Sequence, residues 1–547
     1  MAAVPFLVLV LLALARGDVF SSTGHMAELV VKENRLLEEL QRYLQHAETR
    51  LGHLSSLLSQ FEGERGFADM DPETYVGHPI AAFRLLQRLP TFDHVERVLQ
   101  EHLAQDFLDT LAEVRDDLPS VEDTRGAAEA LIRLQKTYLL SAHNLTDGYM
   151  QGPKLTAVAC FAVGRVAYSD DDYLHAAEWL EEALHLAASN VTSPGDGVEA
   201  LDFGLQEDEE SQVTIVKVLD YLAFSLYQIS ESRRAAALTD WLLQLDPENE
   251  RAQNNKKYFL AEMEREGRLP YDWLGQEMMV DSDWLSERKA QEDDQERSNE
   301  LGESEIYQML CQGKGPSLPS QRARRLSCYY QVLKGVPLFR FRAEDEWDAP
   351  YIVRYYDVLS DQDTTDMQRL AEPLLQRATV RNTVTGVLET ADYRVSKSAW
   401  LIEETGEVVV KLNRRISGLT GLDLSFAELL QVANYGIGGQ YEPHFDFSRR
   451  PFDMNLRTEG NRIATFLVYL TDVPAGGATV FPDVGATVWP KKGSAVFWYN
   501  MLRSGEGDYT TRHAACPVLV GSKWVANKWL HERGQEFRRP CGLNELA

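Results

Sequence analysis

The sequence predicts a multidomain protein with an α-helical N-terminal half and a C-terminal domain built from strands. Three observations carry this. At 547 residues the chain exceeds what one hydrophobic core normally holds, so three or so domains are expected. Between residues 20 and 264 apolar positions recur every three or four residues, the period of helices buried on one side. From Tyr435 to His531 the pattern changes to alternation, as in RIATFLVYL and KWVANKWLH, the period of strands.

The opening run, MAAVPFLVLVLLALARGDVF, has the length and small-residue ending of a signal peptide, although its start lacks the usual Lys or Arg. It is short for a membrane span, and Arg16 and Asp18 stop it. Residues 1–19 are therefore expected to be a signal peptide, cleaved near 16–20. A formal net charge of -29 and a sequence pI of about 4.9 repel phosphate backbones and argue against nucleic acid as a partner. On a secretory route the five cysteines become disulfide candidates. Cys311 and Cys328 flank the loop GKGPSLPSQRARRLS, Cys516 and Cys541 bracket the last strand, and Cys160 in an apolar helix pattern reads as a buried free thiol. Spacing leaves the connectivity open. Asn144 (NLT) and Asn190 (NVT) are glycosylation acceptors that suit a luminal protein.

Residues 20–150 read as a helical domain. Leu36, Leu40, Tyr43, Ala47, Leu51, Leu54 and Leu58 form one apolar stripe, suited either to a dimerising coiled coil or to packing on the same domain. Gly52 argues against a long uninterrupted coil. Breaks are expected at Pro90 and Leu118-Pro119, with Ser120 and Asp123 arranged like a capping box ahead of the next helix. Residues 151–264 read as paired helices resembling tetratricopeptide repeats, with a stretched insert whose Glu207–Glu210 run is a solvated loop. Such solenoids present concave surfaces to extended peptides. Tyr168, Tyr221, Phe224, Tyr227 and Tyr258 supply aromatics for a polyproline II chain, with Arg165 on the same helix as Tyr168, although each alone is as readily a core residue. Residues 265–347 read as a charged linker with a loop, and 348–547 as the strand-built domain, in which YRVSKSAWLIE (393–403) is either a groove wall or an edge strand.

That last domain carries the chemistry. His444 and Asp446 form a His-x-Asp pair whose side chains share a face on an extended strand, and His513 supplies a second imidazole. Two histidines and one carboxylate suit non-haem Fe(II) and leave coordination positions open. Lys523, ten residues after His513, suits the far carboxylate of a dicarboxylate such as 2-oxoglutarate. The alternation places Lys523, Val525, Asn527, Trp529 and His531 on one face, a combination poorly explained as ordinary core. Ile463, Thr465, Leu467 and Tyr469 form another one-face set, either a buried sheet row with a hydrogen-bonded hydroxyl or a wall in which Tyr469 is a second donor to the 2-oxoglutarate tail.

The order Tyr435, His444-Phe445-Asp446, Arg462, Tyr469, His513, Lys523, Trp529, His531 resembles the 2-oxoglutarate-dependent prolyl 4-hydroxylases, and the chain as a whole is similar to alpha subunits of collagen prolyl 4-hydroxylase. The resemblance implies a double-stranded β-helix (jelly-roll) catalytic domain. It implies His444, Asp446 and His513 as iron ligands, and Lys523, with Tyr435, Tyr469 and Thr465, as the 2-oxoglutarate site. Arg462, Trp529 and His531 would lie around co-substrate and peptide proline. It further implies disulfides Cys311–Cys328 and Cys516–Cys541, a dimerising first domain, and ascorbate and O2 as further requirements. The implied substrate is procollagen or another proline-rich peptide, and the implied partner is protein disulfide isomerase in an α2β2 tetramer in the endoplasmic reticulum lumen. The terminal NELA is not a KDEL-type signal, which fits retention through such a partner.

Two other classes compete. A zinc hydrolase also uses His/Asp/His but has no use for Lys523 as a carboxylate anchor. A non-catalytic peptide-binding adaptor would be expected to lose one of these four residues. Among oxygenases, lysine or asparagine hydroxylation would use the same iron site.

Overall fold

The computed structural model describes residues 18–68, 95, 104–190, 215–265, 302–334, 336–381, 388–449 and 458–542. The chain divides into two compact units, one comprising Met1–Arg16 and His25–Ser120, the other Gly17–Gly24 and Val121–Ala547.

The helix Thr23–Ala68 runs 46 residues without interruption through Gly52. A single glycine costs a helix about 1 kcal/mol, too little to break so long an element. Leu40, Leu51 and Leu58 of its apolar stripe are 38%, 65% and 58% exposed. Pro90 lies outside the described residues. The break at Leu118-Pro119 is present: the helix Gln105–Val114 tightens into a 3-10 turn at Arg115–Asp117, and a new helix, Val121–Tyr138, follows Ser120.

The paired helices are Ala157–Ser169 with Tyr173–Asn190 and Ile215–Gln228 with Ser232–Leu245, followed by Glu250–Arg265. Alanines and Gly164 fill the crossings, and Trp179, Leu180, Leu219 and Leu226 are fully buried between them. The indole of Trp179 donates to Gln135 Oε1 (2.8 Å), tying the helix Val121–Tyr138 to the pairs. Cys160 is buried and free, and Asn144 is exposed, whereas the Glu207–Glu210 insert lies outside the described residues.

The C-terminal domain is two facing antiparallel sheets, the jelly-roll arrangement. The larger has nine strands in the order Cys328–Leu333, Val336–Asp348, Tyr351–Tyr355, Ala495–Tyr499, Arg462–Tyr469, Lys523–His531, Leu430–Tyr435, Lys397–Leu401, Gln376–Arg377. The smaller has four: Ala486–Val488, Thr479–Phe481, His513–Ala515, Tyr441–His444. Alternation sorts each strand between two cores. Val432, Phe466, Ala526 and Leu530 face the helices Asp361–Ala371 and Glu407–Thr420. Ala433, Tyr435, Trp498 and Val525 meet Phe481, Ala486 and Ala515 of the smaller sheet.

Three expectations change here. The strands Cys328–Leu333 and Val336–Asp348 of the large sheet fall almost wholly within the expected linker 265–347, and Lys397–Leu401 is flanked on both sides rather than being an edge. A register shift between Arg462 and Ala464 places Ile463 with the helix-facing core, off the face of Thr465 and Leu467.

The disulfide also differs from the expected pairs. Cys311 bonds Cys516, with Cα atoms 5.5 Å apart, while Cys328 and Cys541 are exposed free thiols. Packing decides this: Tyr307, Leu310 and Cys311 at the end of the helix Glu303–Cys311 share a core with Ala478, Val480, Ala514 and Cys516. Proteolytic mapping without reduction should recover Cys311 and Cys516 in one linked species; recovery of Cys311 linked to Cys328 would contradict it. Cys516→Ser should lower stability by about 2–5 kcal/mol.

Candidate metal and co-substrate site

His444 ends the strand Tyr441–His444, and His513 opens the neighbouring strand directly opposite it. Asp446 lies past the strand end, in a bend rather than on the same extended run, and the bend returns its carboxylate to both imidazoles. Oδ1 is 3.8 Å from His444 Nε2, Oδ2 is 3.6 Å from His513 Nε2, and all three ligand atoms lie within 4.8 Å of one another. This is the spacing of groups that converge on one ion.

The surroundings fix the ligands' protonation. His444 Nδ1 faces the Glu442 carbonyl at 2.7 Å and His513 Nδ1 that of Thr511 at 3.0 Å, so each ring donates from Nδ1 and turns the Nε2 lone pair inward. Burial and the neighbouring His513 push His444 well below its ordinary pKa, which keeps it neutral. Burial works against the Asp446 charge, but His513, His444, Arg462 and the Thr465 hydroxyl outweigh it and hold the carboxyl below its usual range. Neutral imidazoles and an ionised carboxylate are what a divalent metal requires. Thr465 donates to Asp446 Oδ2 (2.6 Å) and accepts from Asn500 Nδ2 (2.9 Å). Thr465 therefore steadies a metal ligand, where the sequence reading placed it on the co-substrate.

Lys523 is 1% exposed and lines the same cavity as the three ligands. Burial alone lowers its amine to about 7, and among the described residues no carboxylate offsets the loss of water. Its Nζ lies over the ring of Tyr435, its cross-strand neighbour, 4.9 Å from the centroid. A buried amine without a counter-charge is costly unless an anion arrives. Val525, Asn527 and Trp529 follow it along the cavity wall, as the alternation requires. The indole N–H groups of Trp498 and Trp529 and the Asn527 side-chain carbonyl are buried there without a hydrogen-bond partner. Among the described residues the two indole N–H donors have no acceptor, which fits an anionic molecule beside the metal ligands, whereas the Asn527 oxygen can only accept.

Three expected residues stand back from the cavity. Tyr469 is fully buried and spends its hydroxyl on Thr479 Oγ1 (2.8 Å), so Thr479 rather than Tyr469 lines the wall. Arg462 stacks on the Trp529 ring at 4.1 Å and pairs with Glu428, and His531 Nε2 meets the same carboxylate at 3.0 Å. Burial opposes the Glu428 charge, but hydrogen bonds from His531 and Arg462 prevail and hold its carboxyl at about 2. Glu428, Asn500, Trp498 and Arg394, which reaches the cavity over Tyr441 at 4.7 Å, escaped the sequence reading. Arg394 lay in the segment 393–403 and Trp498 and Asn500 in the stretch Tyr435–His531, but none was named as a site residue.

The helical pairs bring together most of the expected aromatics. Tyr168 meets Tyr221 at 4.9 Å and Phe224 at 5.7 Å, and Phe224 meets Tyr227 at 6.4 Å, all half-buried. Tyr173 and Arg251, missed in the sequence, join them; Arg251 bonds the Tyr168 hydroxyl at 2.9 Å and lies over Tyr221 and Phe224. Arg165 is exposed on the Tyr168 helix. Tyr258 is 68% exposed and joins none of these ring contacts.

Comparison with known proteins agrees with this organisation. Residues 22–152 match the N-terminal region of the prolyl 4-hydroxylase alpha subunit, 157–265 its peptide-substrate-binding domain, and 430–531 the 2OG-Fe(II) oxygenase superfamily. Prolyl 4-hydroxylase subunit alpha-2 of Gallus gallus is 45% identical over 540 residues, covering 97% of this chain and 96% of its own. Subunit alpha-1 of Homo sapiens is 44% identical over 544 residues, with 98% and 97% covered. A viral collagen prolyl hydroxylase from Paramecium Bursaria Chlorella virus-1, solved as a 2OG complex, is 27% identical over 34% of this chain and 97% of that one, with a TM-score of 0.28. Fold and site together define an Fe(II)- and 2-oxoglutarate-dependent dioxygenase with a separate peptide-binding domain. Within that class the chain belongs to the prolyl 4-hydroxylase alpha-subunit family.

Proposed function

We propose that this chain is the catalytic subunit of a procollagen-proline 4-dioxygenase, hydroxylating C4 of proline in X-Pro-Gly sequences while 2-oxoglutarate is decarboxylated to succinate. One observation supports this above the others: the uncompensated Lys523 amine shares a cavity with the His444, Asp446 and His513 ligand set. A hydrolytic zinc site gives that amine nothing to do. O2 as second substrate, ascorbate to restore oxidised iron, protein disulfide isomerase as partner in an α2β2 assembly, and residence in the endoplasmic reticulum lumen belong to the same proposal. The leading apolar run, the exposed Asn144 sequon and the exposed stripe of the helix Thr23–Ala68 support it. Near-equal identity to alpha-2 and alpha-1 relatives, 45% and 44%, supports a third subtype, alpha-3.

Fe(II), when bound, supplies the oxidative chemistry that couples decarboxylation to hydroxylation. The protein supplies placement. His444 and His513 present Nε2 because carbonyls hold their other nitrogens, and Thr465 with Asn500 holds Asp446. Lys523 takes the far carboxylate of 2-oxoglutarate, and the indole N–H groups of Trp498 and Trp529 offer unspent donors to the rest of it. Arg462, braced by Glu428 and His531, holds the Trp529 ring in place. The walls exclude water from a reaction that must not leak. A second cleft of about 790 Å3, lined by Lys136, Asp170 and Asp172 on the helical side and Tyr393, Glu442 and Pro443 beside His444, gives a peptide room to pass towards the metal.

Incubation of the purified full chain with Fe(II), labelled 2-oxoglutarate and Pro-Pro-Gly peptides tests the proposal. Succinate and 4-hydroxyproline should appear together. Succinate with a different hydroxylated residue would favour another secretory-pathway substrate, and the absence of both would leave a peptide-binding adaptor. Tyr221→Ala should raise the peptide KM about five- to tenfold through lost ring contacts, leaving the 2-oxoglutarate KM unchanged. A parallel change in both constants would speak against a separate peptide site.

A further inference from the structure

Residues 20–24, the segment that leads into the helix Thr23–Ala68 together with its first residues, form a strap behind the co-substrate cavity. The carbonyl of Phe20 accepts the Ile437 N–H (3.2 Å), Ser22 Oγ donates to Asn434 Oδ1 (2.7 Å), and the Gly24 N–H reaches the same oxygen at 3.2 Å. Thr23 Oγ1 accepts from Asn434 Nδ2 (3.0 Å) and hydrogen-bonds Ser522 Oγ. Two glycines make room. A Cβ on Gly436 would lie 1.9 Å from the Phe20 carbonyl oxygen, and one on Gly126 would lie 2.3 Å from the Phe20 ring.

Asn434 is the hub. It is fully buried, sits beside Tyr435, and its Nδ2 also reaches the Lys523 carbonyl at 3.3 Å. The start of the Lys523 strand is thus held from two sides. Thr471 Oγ1 donates to the Ser522 carbonyl (2.7 Å) and accepts the Trp524 N–H (3.0 Å) on one, and Asn434 with the strap acts on the other. A lysine amine on a four-carbon stem is only as well placed as the backbone that carries it.

We propose that Ser22, Thr23 and Asn434 form a positioning unit that sets the Lys523 amine over Tyr435, so that co-substrate affinity depends on the chain's N-terminal strap. This rests on Lys523 being the 2-oxoglutarate anchor. None of the three touches the cavity, so their effect must pass through the Lys523 strand.

The test is steady-state kinetics on the full chain in its purified assembly, comparing wild type with Thr23→Val, Ser22→Ala/Thr23→Val and Thr23→Ser. Removing one or two of these hydroxyls should raise the 2-oxoglutarate KM about three- to tenfold, the scale of one or two hydrogen bonds. The peptide KM, kcat and thermal midpoint should change little, and Thr23→Ser should restore the wild-type KM. An unchanged 2-oxoglutarate KM in the double variant would overturn the proposal. So would a fall in kcat, peptide affinity and thermal midpoint together, which marks a purely structural contact. Wild type without 2-oxoglutarate-dependent succinate release would remove the anchor reading itself, and the strap proposal with it.

Discussion

His513→Ala is expected to abolish succinate release and proline hydroxylation together. The residue removes one of three ligands from a site in which each imidazole is oriented by a backbone carbonyl and the carboxylate by Thr465. Loss of a supporting contact to a metal ligand typically costs about 10–100-fold, so loss of the ligand itself should exceed that range. His513 also packs edge-on against Trp498 at 4.8 Å, and part of the alanine effect could be local repacking. His513→Gln separates the two, since it fills the space without presenting the same donor. Bound iron per chain, measured with turnover, should fall in both variants; retained iron with lost activity would assign His513 another role.

Lys523→Ala carries the second large effect. In the liganded site a carboxylate would lose its buried counter-ion, a change of about 2–5 kcal/mol, or roughly 30- to several thousand-fold in 2-oxoglutarate affinity. The peptide KM should hold. A pH signature accompanies it. Burial lowers the Lys523 amine from 10.5 to about 7, so below that pH it is charged and ready for an anion. Above it, 2-oxoglutarate binding must take up a proton, and the apparent affinity should weaken by up to about tenfold per pH unit towards pH 10. The unliganded protein should have the opposite slope in stability. The unfolded chain holds that proton more tightly, so stability rises with pH between about 7 and 10. Co-substrate should remove that rise, and Lys523→Ala should lack both effects.

What the sequence reveals here follows from short-range geometry. His444 and His513 stood out by type and spacing, and a two-residue period alone assigned Lys523, Val525, Asn527, Trp529 and His531 to one face, of which the first four line the cavity and His531 stands back from it. The helical pairs were likewise visible as apolar periods with small residues at their crossings. Residues whose role depends on distant register left no local trace. Glu428 matters because Arg462 and His531 converge on it, and Asn500 because Thr465 lies across the sheet. Asn434 reads as an ordinary polar residue until the N-terminal segment folds over it. Tyr469 fits the period yet is diverted by Thr479 in the facing sheet. The disulfide follows the same logic: spacing left the pairing open and the family resemblance implied pairs close in the chain, whereas the helix Glu303–Cys311 brings Cys311 to Cys516, 205 positions away.

The most direct measurement is an anaerobic titration of the Fe(II)-loaded protein with 2-oxoglutarate, followed by the visible charge-transfer absorption of the chelated metal. Wild type should develop that band at a stoichiometry of one per chain. Lys523→Ala should reach it only at far higher 2-oxoglutarate, and His513→Ala not at all. A wild-type protein that binds iron yet develops no band, or a Lys523→Ala variant that titrates like wild type, would contradict the site described here.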